Sequence, residues 1–182
     1  MNVQGLTDEL TAISSWREKE ILLAKQCFNF SREDKPDKDY ALRCLIIILY
    51  AHCEGFVKDA ILCFIHYYYN NDGLHKFIKG SIAKRVFDYG KLKIFLESSL
   101  SMKEIEKNVL KAPISEYEGF SNVKISSFWE ELKSIRDDIA HGGTKNLIIK
   151  EETALQLYVM SRRFIEGIKS SIIEKAEESW QK

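Results

Sequence analysis

Apolar residues return at helical spacing along most of this chain. Leu6, Leu10, Ile13, Ile21, Ala24 and Phe28 mark one stripe, which runs to about Phe30. Thr7, ahead of Asp8 and Glu9, predicts its start with acid in the first turn. The charged residues 31–38, Ser-Arg-Glu-Asp-Lys-Pro-Asp-Lys, make a turn around Pro36. A second helix is predicted from about Asp37 to Asn70, with Asn70-Asn71-Asp72-Gly73 as its stop. At about 1.5 Å per residue it is roughly 50 Å long. Between Cys44 and Tyr50 it is apolar on every side, the mark of a central, surrounded helix.

Residues 74–124 are the least regular part. Ser101-Met102-Lys103-Glu104 has the form of a capping box, and Lys111-Ala112-Pro113 ends the helix it opens. Residues 112–125 read as a loop. Ser127-Phe128-Trp129-Glu130 is a second capping box and predicts a helix from Ser127 to the pair Gly142-Gly143, which supplies the left-handed residue that ends it. The last long helix is expected from about Lys150 to Trp180, with Leu155, Tyr158, Val159, Ile165, Ile168, Ile172 and Ala176 facing inward. These elements predict an all-α, up-down helical bundle, with short helices inserted between its second and third long members. No internal repeat is visible, and residues 1–182 read as a single domain.

Composition narrows the picture. Hydrophobic residues at 45% and charged residues at 30% describe an ordinary globular protein, and two prolines with nine glycines favour long helices. Twenty-seven basic residues balance 27 acidic ones, so no bulk charge draws this chain to nucleic acid. The one clear positive block is local: Lys76, Lys79, Lys84, Arg85, Lys91 and Lys93 stand against Asp88 alone within residues 73–95. Such a block is ordinarily a solvated face, but here it is the best candidate for a phosphate track. Tyr67-Tyr68-Tyr69 reads as rings packed at a helix end more readily than as a base-stacking platform. Cys27, Cys44, Cys53 and Cys63 form no Cys-x-x-Cys pair and are expected as buried, reduced thiols of a cytoplasmic protein. Asp8 and Glu9 argue against a secretion signal, and His52, Glu54 and Lys58 interrupt the most apolar run well short of a membrane span.

Chemistry concentrates in Ser134-Ile135-Arg136-Asp137-Asp138-Ile139-Ala140-His141-Gly142-Gly143. His141 is predicted in the last turn of its helix, where the carbonyl end favours positive charge. Asp137 is four residues earlier, on the same face. Arg136 is five earlier, which at roughly 100° per residue turns it about 140° away. Both side chains can aim at one ligand only if it lies across the helix end, or if a second copy of the helix completes the geometry. Taken alone, these residues also fit a surface Arg–Asp pair beside a helix-capping histidine. Other chemistries fall away. His52-Cys53-Glu54 has the His-x-Glu of zinc deaminases without the Pro-Cys-x-x-Cys. No His-Glu-x-x-His, phosphate-binding glycine loop or metal-ligand spacing occurs.

The segment Arg136-Asp137-Asp138-Ile139-Ala140-His141 resembles the Arg-x4-His motif of the HEPN superfamily, helical proteins that include many metal-independent ribonucleases. Tyr50-Ala51-His52-Cys53-Glu54-Gly55-Phe56-Val57-Lys58 is similar to the second helix of a toxin-like prokaryotic branch, and helix order fits from about Leu6 to Ala176. Asp137 stands where Asn is frequent, and Gly143 stands where toxins paired with nucleotidyltransferase antitoxins carry tyrosine. The resemblance implies a HEPN-type bundle and a metal-independent endoribonuclease without cofactor. It implies Arg136 and His141 as catalytic residues, a supporting Asp137 that holds His141, and two motifs facing each other in a homodimer. It also implies an RNA substrate and an antitoxin or defence-system partner. Glu54 has two readings: a helix pair with Lys58 four residues on, or a group that orients Arg136 or His141 from the neighbouring helix. Gly55 is expected to permit a close helix approach. The rival from another class is a non-catalytic HEPN interaction or nucleotide-binding module that pairs with a partner protein.

Overall fold

The computed structural model describes residues 2–31, 35–69, 72–82, 89–97, 102–111, 124–142 and 148–180. Among them lie seven helices and no strand: α1 (Val3–Phe30), α2 (Lys35–Tyr69), α3 (Asp72–Ile82), α4 (Tyr89–Glu97), α5 (Met102–Lys111), α6 (Ile125–Ala140) and α7 (Glu151–Trp180). The all-α bundle is as expected, with α3, α4 and α5 as the short helices between the long ones. No helix among the described residues is long and apolar enough to cross a membrane.

The long α2 is the axis of the molecule. It packs against α1, α7, α6 and α3. Leu45, Ile46, Leu49, Tyr50, Cys53, Phe56, Val57, Ala60 and Ile61 are all buried, which covers more of the helix circumference than one amphipathic stripe would. From α7 come Tyr158, Val159, Ile165, Ile168, Ile172 and Ala176, buried as the stripe predicts, with Leu155 partly buried. From α6 come Ile125, Phe128, Trp129 and Leu132.

Several boundaries differ from those read in the sequence. The first helix begins not at Thr7 but one turn earlier. Asn2 caps it by accepting from the Gly5 N–H at 2.9 Å, and the Thr7 hydroxyl turns inward to the Val3 carbonyl. Likewise α6 begins after Lys124, with no side-chain cap, so Ser127 stands inside its first turn. The reason is energetic. A cap contributes about 1 kcal/mol, whereas burying Leu6 or Ile125 contributes about 1.5–3 kcal/mol, so the apolar residue draws the extra turn into the helix. Asp72 and Gly73, read as part of a stop, open α3 instead. Residues 112–123, including Pro113, and Ser101 lie outside the described residues. Cys53 and Cys63 are buried free thiols, and burial holds that of Cys53 up at about 12. Cys27 is exposed and Cys44 half-buried, contrary to expectation, because α1 turns Cys27 away from its own stripe.

One contact sets how closely α5 lies against α7. A methyl group on Gly167 of α7 would sit 2.6 Å from the Val109 backbone nitrogen and 2.7 Å from its Cα, inside any allowed contact. Gly80 on α3 has open space around it. Gly167→Ala should therefore destabilise the fold by about 1–3 kcal/mol through overpacking. Gly80→Ala should stabilise it by up to about 1 kcal/mol through helix propensity. Urea denaturation followed by circular dichroism measures both, and similar midpoints for the two variants would contradict this packing.

Candidate active site

Two faces of α2 each receive one arginine. The sequence reading missed the first. Arg17 lies on the apolar stripe of α1 between Ile13 and Ile21, and only 6% of it is exposed. Its guanidinium pairs with Asp59, lies 3.4 Å from His52 Nδ1 and stacks on Trp16 at 4.4 Å from the ring centre. Gly55 is what makes room: a Cβ there would meet Arg17 Nη1 at 2.6 Å and Nη2 at 2.9 Å. The close approach expected at Gly55 is thus real, but its partner is a side chain and not a helix backbone. Burial, with Arg17 adding to it, holds the His52 imidazole below its usual value. A charged residue on a buried stripe was the signal available in the sequence.

The second arginine is Arg136. Its guanidinium carbon lies 4.0 Å from the centre of the Tyr50 ring, and its Nη1 pairs with Asp137 Oδ1 at 2.6 Å. Tyr50 is 3% exposed and is also held by Trp129, seven residues before Arg136 on α6, at 5.6 Å between ring centres. Burial and then the Glu54 charge push the Tyr50 hydroxyl up to about 12, while Arg136 pulls the other way. Arg136 Nε and the Tyr50 hydroxyl are both enclosed without a hydrogen-bond partner among the described residues. Glu54 forms the expected pair with Lys58, at 3.4 Å, and acts electrostatically on Tyr50 as well, so α2 brings it to the Arg136 side.

His141 terminates α6 as its C-cap, one step beyond the last turn, with its N–H bonded to the Asp137 carbonyl at 2.9 Å. Gly142 follows at φ 62°, the left-handed stop expected of it, and Gly143 lies outside the described residues. The imidazole is exposed at the helix end. The sequence reading gave Asp137 the task of holding His141; the His141 charge does act on its carboxyl, but no hydrogen bond joins the two side chains. The hydrogen bonds of the Asp137 oxygens run to other partners: Lys133 Nζ donates to Oδ2 at 2.9 Å, and Oδ1 takes Arg136.

The basic block is divided. Lys79 lines a cleft on the α1 side of α2 together with Glu9, Asp59 and His66, where two carboxylates oppose an anion. Lys76 is exposed on the same helix α3. Lys91 and Lys93 are exposed on α4, which packs against α5 and α6. Lys84 and Arg85 lie outside the described residues. Tyr67 packs at the start of α1 beside Gly5, the helix-end role expected of it, and the side chains of Tyr68 and Tyr69 are not described. No group of three or more His, Cys, Asp or Glu among the described residues could hold a metal ion.

Comparison with known proteins gives one positive result. The model of the RiboL-PSP-HEPN family matches residues 13–174, which spans both motif helices and the inserted segment. No curated protein and no solved structure matches.

The Asp137 contacts make a prediction. Its carboxyl is held below the usual 3.8, first by the Lys133 hydrogen bond and also by the Arg136 and His141 charges. A depressed folded-state value means that Asp137 adds stability above the ordinary carboxylate value, and that this is lost as pH falls through the depressed one. An NMR titration of the Asp137 carboxyl carbon should show a midpoint below 3.8 that rises in Lys133→Met. A midpoint unmoved by that substitution would contradict the assignment.

Proposed function

This chain belongs to the RiboL-PSP-HEPN family, and on that premise we propose that it is a metal-independent endoribonuclease, a toxin or defence effector, that cleaves RNA between two copies of itself. The observation that carries the reading is the pairing of a fixed guanidinium with an exposed imidazole at one helix end. Arg136 is held from beneath by Tyr50, and His141 stands clear at the C-cap.

The chemistry suits these groups. In RNA the 2′-oxygen attacks the adjacent phosphorus, the bond from phosphorus to the 5′-oxygen breaks, and a 2′,3′-cyclic phosphate and a 5′-hydroxyl result. Histidine takes the proton of the 2′-hydroxyl, and the imidazolium so formed supplies a proton to the leaving 5′-oxygen. The guanidinium stabilises the negative charge that builds on the phosphorane oxygens. The nucleophile is already attached to the substrate, so the main work left to the protein is positioning and charge. Glu54 and Asp137 support the site by setting its electrostatics around Arg136.

Two copies supply what one lacks. On α2, Tyr40, Ile47 and Glu54 recur every seven residues and so share one side of the helix. Tyr40 is 71% and Ile47 41% exposed, so an apolar strip leads along α2 to Glu54. A second copy covering that strip would bring two arginines and two histidines to one cleft. One observation favours the rival, a non-catalytic helical interaction module: Arg136 is already paired with its own neighbour Asp137.

Light scattering should give twice the 21.1 kDa chain mass, and a strict monomer with and without RNA would remove the shared cleft. Cleavage should persist in excess EDTA and leave 2′,3′-cyclic ends. Activity lost in EDTA and restored by Mg²⁺ would require another mechanism. His141→Ala and Arg136→Ala should each lower cleavage at least about a hundredfold with helicity retained. A folded His141→Ala protein that cleaves RNA as the wild type does would leave the interaction module as the reading.

A further inference from the structure

The way Arg136 is held carries an inference about Tyr50. Stacking occupies the face of a guanidinium, whereas a carboxylate occupies its N–H edge, the edge that phosphate oxygens need. In this site the Arg136 guanidinium carbon lies over the Tyr50 ring, 4.0 Å from its centre, Nη1 is engaged by Asp137, and Nε is enclosed. The Asp137 carboxylate is divided between Arg136 and Lys133. The ring is set in the core. Tyr50 is 3% exposed, on the central helix, and clasped from α6 by both Trp129 and Arg136.

We infer that Tyr50 is a positioning residue, the platform that aims the Arg136 guanidinium toward a phosphate. The inference rests on the ribonuclease reading for its catalytic consequence, but not for its geometry. The buried hydroxyl supports it, since a phenol held up at about 12 keeps its proton at neutral pH and leaves no phenolate to neutralise the arginine. An immobile aromatic face also spares Arg136 the ordering that a free surface arginine would undergo on each encounter with RNA.

Single-turnover cleavage of an RNA oligonucleotide by Tyr50→Leu and Tyr50→Phe, each with and without Arg136→Ala, tests the role. Tyr50→Leu should slow the cleavage step about tenfold, and Tyr50→Phe, which keeps the ring, should restore most of that loss. In the Arg136→Ala background the Tyr50→Leu change should cost less than about twofold, because the group it positions is gone. Equal losses in both backgrounds would overturn the inference and leave Tyr50 as a packing residue. An equal loss in Tyr50→Phe would overturn it too, since the hydroxyl would then be the active group.

A readout independent of cleavage separates this from the wider reading. The Arg136 Nε–H resonance, assigned by its disappearance in Arg136→Lys, should be shifted upfield by the ring in the wild type and in Tyr50→Phe. It should return toward the free-arginine position in Tyr50→Leu. A resonance unchanged in folded Tyr50→Leu would overturn the platform whatever the enzyme does. A wild type that cleaves no RNA, with the shift as expected, would overturn the ribonuclease reading and the catalytic consequence while supporting the geometry.

Discussion

A helix apolar around most of its circumference has to be covered over most of it, and α2 imposes that requirement on the rest of the chain. α1, α6 and α7 supply the cover, and each does so with a buried apolar stripe. The requirement also decides where charge can enter. Arg17 and Arg136 both reach α2, and each is accommodated by a different device. On the α1 side a missing side chain at Gly55, the Asp59 carboxylate and the His52 imidazole enclose a guanidinium that only 6% exposure leaves in contact with solvent. On the α6 side an aromatic ring receives the guanidinium carbon and the neighbouring Asp137 takes Nη1. The first charge is paired across two helices, the second within its own helix.

This division gives the Tyr50–Lys58 segment a physical meaning beyond its resemblance. His52, Gly55 and Asp59 turn to α1 and hold the helical hairpin, while Tyr50 and Glu54 turn to α6 and the candidate site. One helix thus contacts both arginines.

Much of this was legible in the sequence. The four long helices follow from apolar periodicity, and Gly142 marks the end of α6 because few residues other than glycine adopt φ near 62° without strain. Helix starts were less legible, as at Asn2 and Lys124, because cap signals are weaker than the burial of Leu6 and Ile125. The positions of Arg136 and His141 on one helix end could be read from spacing, but their partners could not. Asp137 has Lys133, Arg136 and His141 all within reach of its charge, and spacing does not say which it bonds; Tyr50 in an apolar run gives no sign that a guanidinium will lie over it. Arg17 was legible in principle, as a charge on a buried stripe, and its partner Asp59 lies 42 residues away.

The central claim is that Arg136 and His141 act together across two copies of the chain. Mixing Arg136→Ala protein with His141→Ala protein, with subunit exchange allowed, tests it most directly. In a mixed dimer one intact Arg136 and one intact His141 meet in the shared cleft. The account predicts RNA cleavage well above that of either variant alone. A mixture that exchanges subunits, as seen by mass spectrometry, yet cleaves no faster than its two components would contradict it.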